Sequence, residues 1–170
     1  ILDKDLFSIF QNNVTKIQSL EKSIVSKIIY RCIQLKSSIV AADEKETSDQ
    51  RIILNYGHTV GHAIEASTNY QGYLHGEAIS IGMTVAANIS AAIGLLDTAI
   101  VKKQTLLLEA FNLPTKAVHL ELDALYSNMI RDKKIVNGKI RWVLLQDIGK
   151  TQICDTVDEN VVKQAIQLSL

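Results

Sequence analysis

The sequence predicts a mainly α fold, a helical bundle with a small β-hairpin near its C-terminus. Apolar residues recur at intervals of three and four through most of the chain, as helices with one buried face require. The only proline, Pro114, leaves those runs unbroken. Only after Asp132 does the pattern change to short apolar runs around the turn pair Asn137-Gly138, which reads as a hairpin. At 170 residues, with 47% hydrophobic and 21% charged, residues 1–170 suit one folded domain. Eighteen basic residues balance eighteen acidic ones, so no global field attracts nucleic acid or an anionic membrane, and no local basic patch stands in for one.

From Asp3 to Leu20, Leu6, Phe7, Phe10, Val14 and Ile17 form one stripe, predicting a first helix. A longer one starts near Glu21 with Ile24, Ile28, Cys32, Leu35 and Ile39 inward and ends in the charged run Asp43-Glu44-Lys45-Glu46, expected to be a solvated end or loop. A third helix falls between Asn55 and Ser67. After the loop Asn69 to Tyr73, a fourth runs from about Gly76 to a glycine stop at Gly94. Asp97 or Thr98 caps a fifth, which carries Ile100, Val101, Leu106, Leu107, Leu108 and Phe111 and stops before Pro114. Leu122 to Arg131 is a sixth. Ile135-Val136 and Ile140 to Leu145 are the predicted hairpin strands, with Gln152 to Cys154 a further strand, and Asp158 caps a last helix through Leu168.

Two cysteines, Cys32 and Cys154, lie far apart and outside any CxxC pattern, which indicates neither a disulfide framework nor a thiolate zinc site and suits a cytoplasmic setting. Cys32, on an apolar stripe, is expected in the core. The weakly polar stretch Ala78 to Leu96 is interrupted by Ser80, Thr84, Asn88 and Ser90, the pattern of a buried helix rather than a membrane span. No signal peptide opens the chain, and its first residue is Ile1, so a fragment of a longer protein is expected.

Three of the four histidines fall in the segment Arg51 to Glu77. At about 100° per residue, His58, His62 and Glu65 share one helical face. His75 opens the next helix, and an antiparallel pair would bring it to the others. Imidazoles from facing helices are a usual way to build a divalent metal site, so a zinc, cobalt or iron centre is expected, with Glu65 or Glu77 as a candidate third ligand. One histidine could bind metal while its neighbour shuttles a proton. An HxxxH pair alone suits polar core histidines equally well. Five of the eight glycines lie between Gly57 and Gly82, a density that calls for close helix packing or close approach of substrate. Arg51 and Asn55, at i and i+4, could face a phosphate or polyol, though an Arg at a helix start is commonly just solvated. Lys133 and Lys134 could meet a phosphate or be surface charge, and His119, alone among apolar residues, is expected to be structural.

Arg51 to Glu65, RIILNYGHTVGHAIE, and Leu74 to Met83, LHGEAISIGM, resemble the signature of the 3-dehydroquinate synthases. The likeness extends to Leu35-Lys36, the AADEKET segment, RDKK at Arg131 to Lys134 and DIGK at Asp147 to Lys150. It corresponds to that family's C-terminal half, a mostly helical metal- and substrate-binding domain. The resemblance implies that His58 and His75 are metal ligands and that His62 is the acid/base or substrate-contacting residue. It assigns Lys36, Arg51, Asn55 and one of Lys133 and Lys134 to the substrate, and gives Glu46 a second acid/base role, although one extra residue separates Glu46 from Arg51 relative to the family pattern. The family's third metal ligand, a Glu, and a following substrate-binding Lys precede the helix with which this chain opens. Its N-terminal NAD-binding domain has no counterpart in these residues. The chain by itself is therefore expected to be incompetent and weak in metal affinity unless Glu65, Glu77 or water completes the shell.

The implied reaction converts the sugar phosphate 3-deoxy-D-arabino-heptulosonate 7-phosphate to 3-dehydroquinate and phosphate, on the shikimate route to aromatic amino acids. It uses zinc or cobalt, NAD that is reduced and regenerated in one turnover, and a homodimer as the expected assembly. Other readings stay open: another sugar-phosphate cyclase, such as one making 2-deoxy-scyllo-inosose; a metal-dependent polyol or alcohol dehydrogenase; or a helical interaction domain that binds metal only weakly.

Overall fold

A computed structural model describes residues 1–45, 50–132 and 140–170. It contains α1 (Lys4–Asn12), α2 (Val14–Gln18), α3 (Lys22–Ala42), a 3₁₀ helix (Gln50–Asn55), α4 (His58–Ser67), α5 (His75–Ala92), α6 (Thr98–Ala110), α7 (Leu122–Asp132), β1 (Trp142–Asp147), β2 (Lys150–Cys154) and α8 (Glu159–Gln167). The mainly α class and the appended hairpin are as expected. No helix among the described residues is long and apolar enough to cross a membrane.

Local signals account for most boundaries. The carboxylates of Asp3, Asp97 and Asp158 accept the N–H groups of Leu6, Ala99 and Asn160, satisfying donors that a helix start leaves open. Beyond α5, Gly94 takes φ +74°, the glycine stop anticipated there. The first predicted helix is in fact two, because Asn13 leaves the helical region and its side-chain amide donates to the Ile9 carbonyl, a local bond that competes with helix continuation.

The further strand expected at Gln152 to Cys154 is present as part of β2. β1 lies antiparallel to β2, with Val143 opposite Ile153 and Leu145 opposite Thr151. Asn137-Gly138 and Ile135-Val136 lie outside the described residues. Burial explains the pairing: Leu144 and Leu145 are wholly buried, and the Leu145 N–H donates to Ser90 Oγ of α5 at 3.1 Å.

The core forms where α5 meets α4, β1 and α8 and where α7 packs on α4, around Ile64, Ile81, Ile89, Leu125, Met129, Leu144, Leu145 and Ile166. Within it α4 and α5 pack as an antiparallel pair, with Gly57 against Met83 and Gly61 against Ala78 and Ile79. A Cβ at Gly82 would overlap the Gly57 carbonyl oxygen, so the glycine density serves close helix approach. By contrast Cys32, expected in the core, is exposed on α3. The face it shares borders an open apolar cleft of about 580 Å³, lined by Leu6, Phe7, Phe10, Leu35 and Phe111 among others. His119 is exposed rather than packed, with φ +60°.

Candidate metal centre

The site is built on the turn into α4 and the start of α5. α3 ends at Asp43, expected on a solvated run but in fact buried. Its Oδ2 accepts the N–H groups of Gln50 at 3.0 Å and Arg51 at 3.4 Å, so the carboxylate caps the 3₁₀ helix that carries Arg51 and Asn55. That helix leads to Tyr56 and to Gly57, whose left-handed φ of +79° a residue with a Cβ rarely adopts. Met83 and Ile79 press against the same glycine, so chain direction into α4 is fixed by contact with α5.

Three imidazoles converge there. Ring centroids of His58 and His62 are 5.4 Å apart, those of His58 and His75 5.5 Å, and those of His62 and His75 5.9 Å. Donor atoms of His62, Glu65 and His75 lie within 4.8 Å of one another, a spacing suited to one cation. The helical-pair geometry expected from the spacing is therefore realised, and of the two candidate carboxylates Glu65 joins the cluster. Glu77 does other work: its Oε2 accepts the Leu74 N–H at 2.8 Å, as the acid of a capping box does.

Hydrogen bonds orient two of the rings. His58 Nδ1 lies 3.2 Å from the Tyr56 carbonyl oxygen, and His75 Nδ1 lies 3.1 Å from Glu65 Oε1. Both partners can only accept, so each Nδ1 carries the proton and, in the neutral ring, Nε2 carries the lone pair. Metal-ligating histidines use this arrangement, with the second nitrogen held by a carbonyl or carboxylate. The donor set, neutral imidazole with one carboxylate and no thiolate, fits zinc or cobalt.

The remaining predicted residues are placed less centrally. Arg51 is half-buried and Asn55 exposed on the 3₁₀ helix leading into the cluster. Lys36 is exposed on α3 and borders the apolar cleft, which none of His58, His62 and His75 lines. Glu46, Lys133 and Lys134 lie outside the described residues. Sequence reasoning passed over Tyr56, Asp43 and Gln104. Tyr56 stood inside the quoted motif without a role, Asp43 lay hidden in a charged run, and nothing local marks Gln104.

Residues 1–135 match the family model described as 3-dehydroquinate synthase C-terminal. The chain belongs to that family. The 3-dehydroquinate synthase of Shewanella loihica is 40% identical over 167 residues, 98% of this chain and 46% of that protein. Its counterpart in Thermodesulfovibrio yellowstonii is 44% identical over 154 residues, 90% of this chain and 43% of that protein. The chain thus spans less than half the length of these relatives. Among solved structures, a 2-deoxy-scyllo-inosose synthase complexed with carbaglucose-6-phosphate, NAD+ and Co2+ is similar at a TM-score of 0.76 and 27% identity, over 88% of this chain and 43% of that one. A 2-epi-5-epi-valiolone synthase from Streptomyces hygroscopicus with NAD+ and Zn2+ bound reaches a TM-score of 0.87 over 99% of this chain and 47% of that one. At 18% identity that likeness concerns the fold.

Proposed function

We propose that this chain is the metal- and substrate-binding part of a 3-dehydroquinate synthase, which converts 3-deoxy-D-arabino-heptulosonate 7-phosphate to 3-dehydroquinate and phosphate. The observation that carries the reading is the pair of oriented imidazoles. His58 and His75 each have Nδ1 bonded to an acceptor and so each offers Nε2 to a shared cation. A divalent zinc or cobalt ion bound there would supply Lewis acidity toward the substrate hydroxyls. His62 lies one helical turn from His58 with the rings edge to face, a position from which an imidazole can take and return a proton near neutral pH. Arg51 and Lys36 bring fixed positive charge to a phosphate and favour its departure as an anion. Asn55 contributes an amide to the substrate hydroxyls. Glu46 and one of Lys133 and Lys134 complete the set as acid/base and phosphate-binding groups. NAD is held mainly by residues beyond these 170, turnover needs that part as well, and the working protein is a cytoplasmic homodimer.

The cluster of His62, Glu65 and His75 donor atoms favours a second ligand assignment, in which His62 takes the place of His58. Calorimetric titration with Zn2+ or Co2+ separates the two. Under the first assignment His58→Ala and His75→Ala each lower affinity by more than the roughly 10–100-fold that loss of an outer-shell partner costs, while His62→Ala leaves it within a few-fold. The reverse ranking of His58 and His62 installs the second assignment, and unchanged affinity in all three variants overturns the metal site. In the full-length protein with NAD and the sugar phosphate, His62→Ala is expected to lower turnover about 10²–10⁴-fold, the usual worth of a general acid/base.

A further inference from the structure

α6 buries a single residue, and that residue is polar: Gln104, 3% exposed. An amide in an apolar core costs free energy unless its hydrogen bonds are made. Here they are. Gln104 Oε1 accepts from the Tyr56 hydroxyl at 2.8 Å, and its Nε2 donates to the Met83 carbonyl of α5 at 3.0 Å. The Tyr56 hydroxyl also lies 3.1 Å from that carbonyl. Three elements, α5, α6 and the turn before α4, are thereby tied at one point.

The tied residue is also the one whose backbone carbonyl meets His58 Nδ1. On its other side Gly57 is wedged against the Met83 backbone nitrogen, and the Gly57 carbonyl accepts the Gly61 N–H at 3.0 Å. The Tyr56 peptide is thus held at its side chain and at the following residue, which leaves its carbonyl little freedom to turn away.

We propose that Gln104 and Tyr56 are positioning residues for His58: the buried Tyr56–Gln104–Met83 network fixes the turn before α4, so that the Tyr56 carbonyl keeps the proton on Nδ1 and Nε2 is presented to a divalent cation. The cation end of this inference rests on His58 as a ligand. The tautomer end does not, and it can be read without metal.

The test uses this chain with its imidazoles labelled with 15N. In the metal-free protein near pH 8, ring nitrogen shifts are expected to report His58 as the Nδ1–H tautomer. Tyr56→Phe and Gln104→Leu should convert it to a mixture of tautomers, leave the His75 tautomer unchanged, and weaken Zn2+ binding by about 10–100-fold, the cost typical of a lost outer-shell partner. Tyr56→Phe keeps the ring and its packing, so it remains decisive where Gln104→Leu lowers stability. A His58 that stays Nδ1–H with unchanged Zn2+ affinity in Tyr56→Phe overturns the proposal, as does a parent chain with the proton on Nε2. A tautomer shift in a protein that binds no Zn2+ upholds the positioning and overturns the metal reading instead.

Discussion

Among the described residues α3 and α5 are the longest helices, 21 and 18 residues, and both carry abundant apolar side chains, yet they end in opposite environments. α5 buries ten residues, whereas α3 buries only Ile28 and leaves Ile29, Tyr30 and Ile33 more than half exposed. The difference lies in the small residues. Gly57 at the start of α4, Gly61 on α4, and Ala78 and Gly82 on α5 lie where the two backbones meet, which lets the helices approach until the imidazoles from both converge. α3 has no glycine, and bulky residues on its inner face border an open cleft. Apolar periodicity says which face turns inward, while residue size at the contact sets how closely a partner can come.

Breaking the close pair should produce the largest effect. At Gly82 a side chain meets backbone, the Gly57 carbonyl, which cannot swing aside as a side chain could. Gly82→Val is therefore expected to exceed the roughly 1–3 kcal/mol of ordinary overpacking, eliminating a cooperative urea transition or moving its midpoint far below that of the parent. A midpoint within experimental error of the parent would mean that α4 and α5 are not pressed together. A matched truncation sharpens the contrast. Ile81→Ala, at a site 1% exposed, should cost about 2–5 kcal/mol, and Ile33→Ala, at a site 57% exposed, should fall within about 0.5 kcal/mol of the parent. Comparable losses at both sites would show that the outer face of α3 is covered in solution.

The same contrast explains what could be read from sequence. Residues that act within one or two turns were legible: the caps Asp97 and Asp158, the stop at Gly94, and the shared face of His58, His62 and Glu65 follow from spacing along one helix. The meeting of His75 with them followed from the short loop that forces α4 and α5 to be neighbours. Long-range partners were not legible. Nothing near Gln104 announces that its amide will meet Tyr56, and nothing in the charged run tells the capping Asp43 from the exposed Glu44 and Lys45. The pairing of β1 with β2 was not legible either, since it accompanies burial of Leu144 and Leu145 against the helical core rather than a local turn signal. Cys32 and the inner stripe of α3 were assigned to a core because period measures amphipathicity, not coverage.

Where packing is loose, polar links carry more of the attachment, and the smallest expected effect concerns one of them. α1 is joined to α3 by Arg31 Nε and Asp3 Oδ2 at 2.5 Å, while Asp3 Oδ1 accepts the Leu6 N–H. The Leu6 bond first, and then the Arg31 guanidinium, hold the Asp3 carboxyl below its ordinary pKa. A carboxylate whose pKa is depressed by folding stabilises the folded state above its unfolded pKa, near 3.9, and loses that contribution as pH falls through the folded value. Asp3→Asn retains a competent N-cap and replaces the oxygen that accepts from Arg31 with an NH2 group that cannot, so the charge and its hydrogen bond are lost together. At pH 7 it should be less stable than the parent by ~1 kcal/mol or less, as fits a pair with one partner exposed. The gap should narrow as pH falls below about 4 and close once Asp3 is protonated. Urea midpoints of the two proteins across that range provide the reading. A gap that stays constant with pH would assign the attachment of α1 to the cap alone, and would leave the ion pair no part in closing the open side of the molecule.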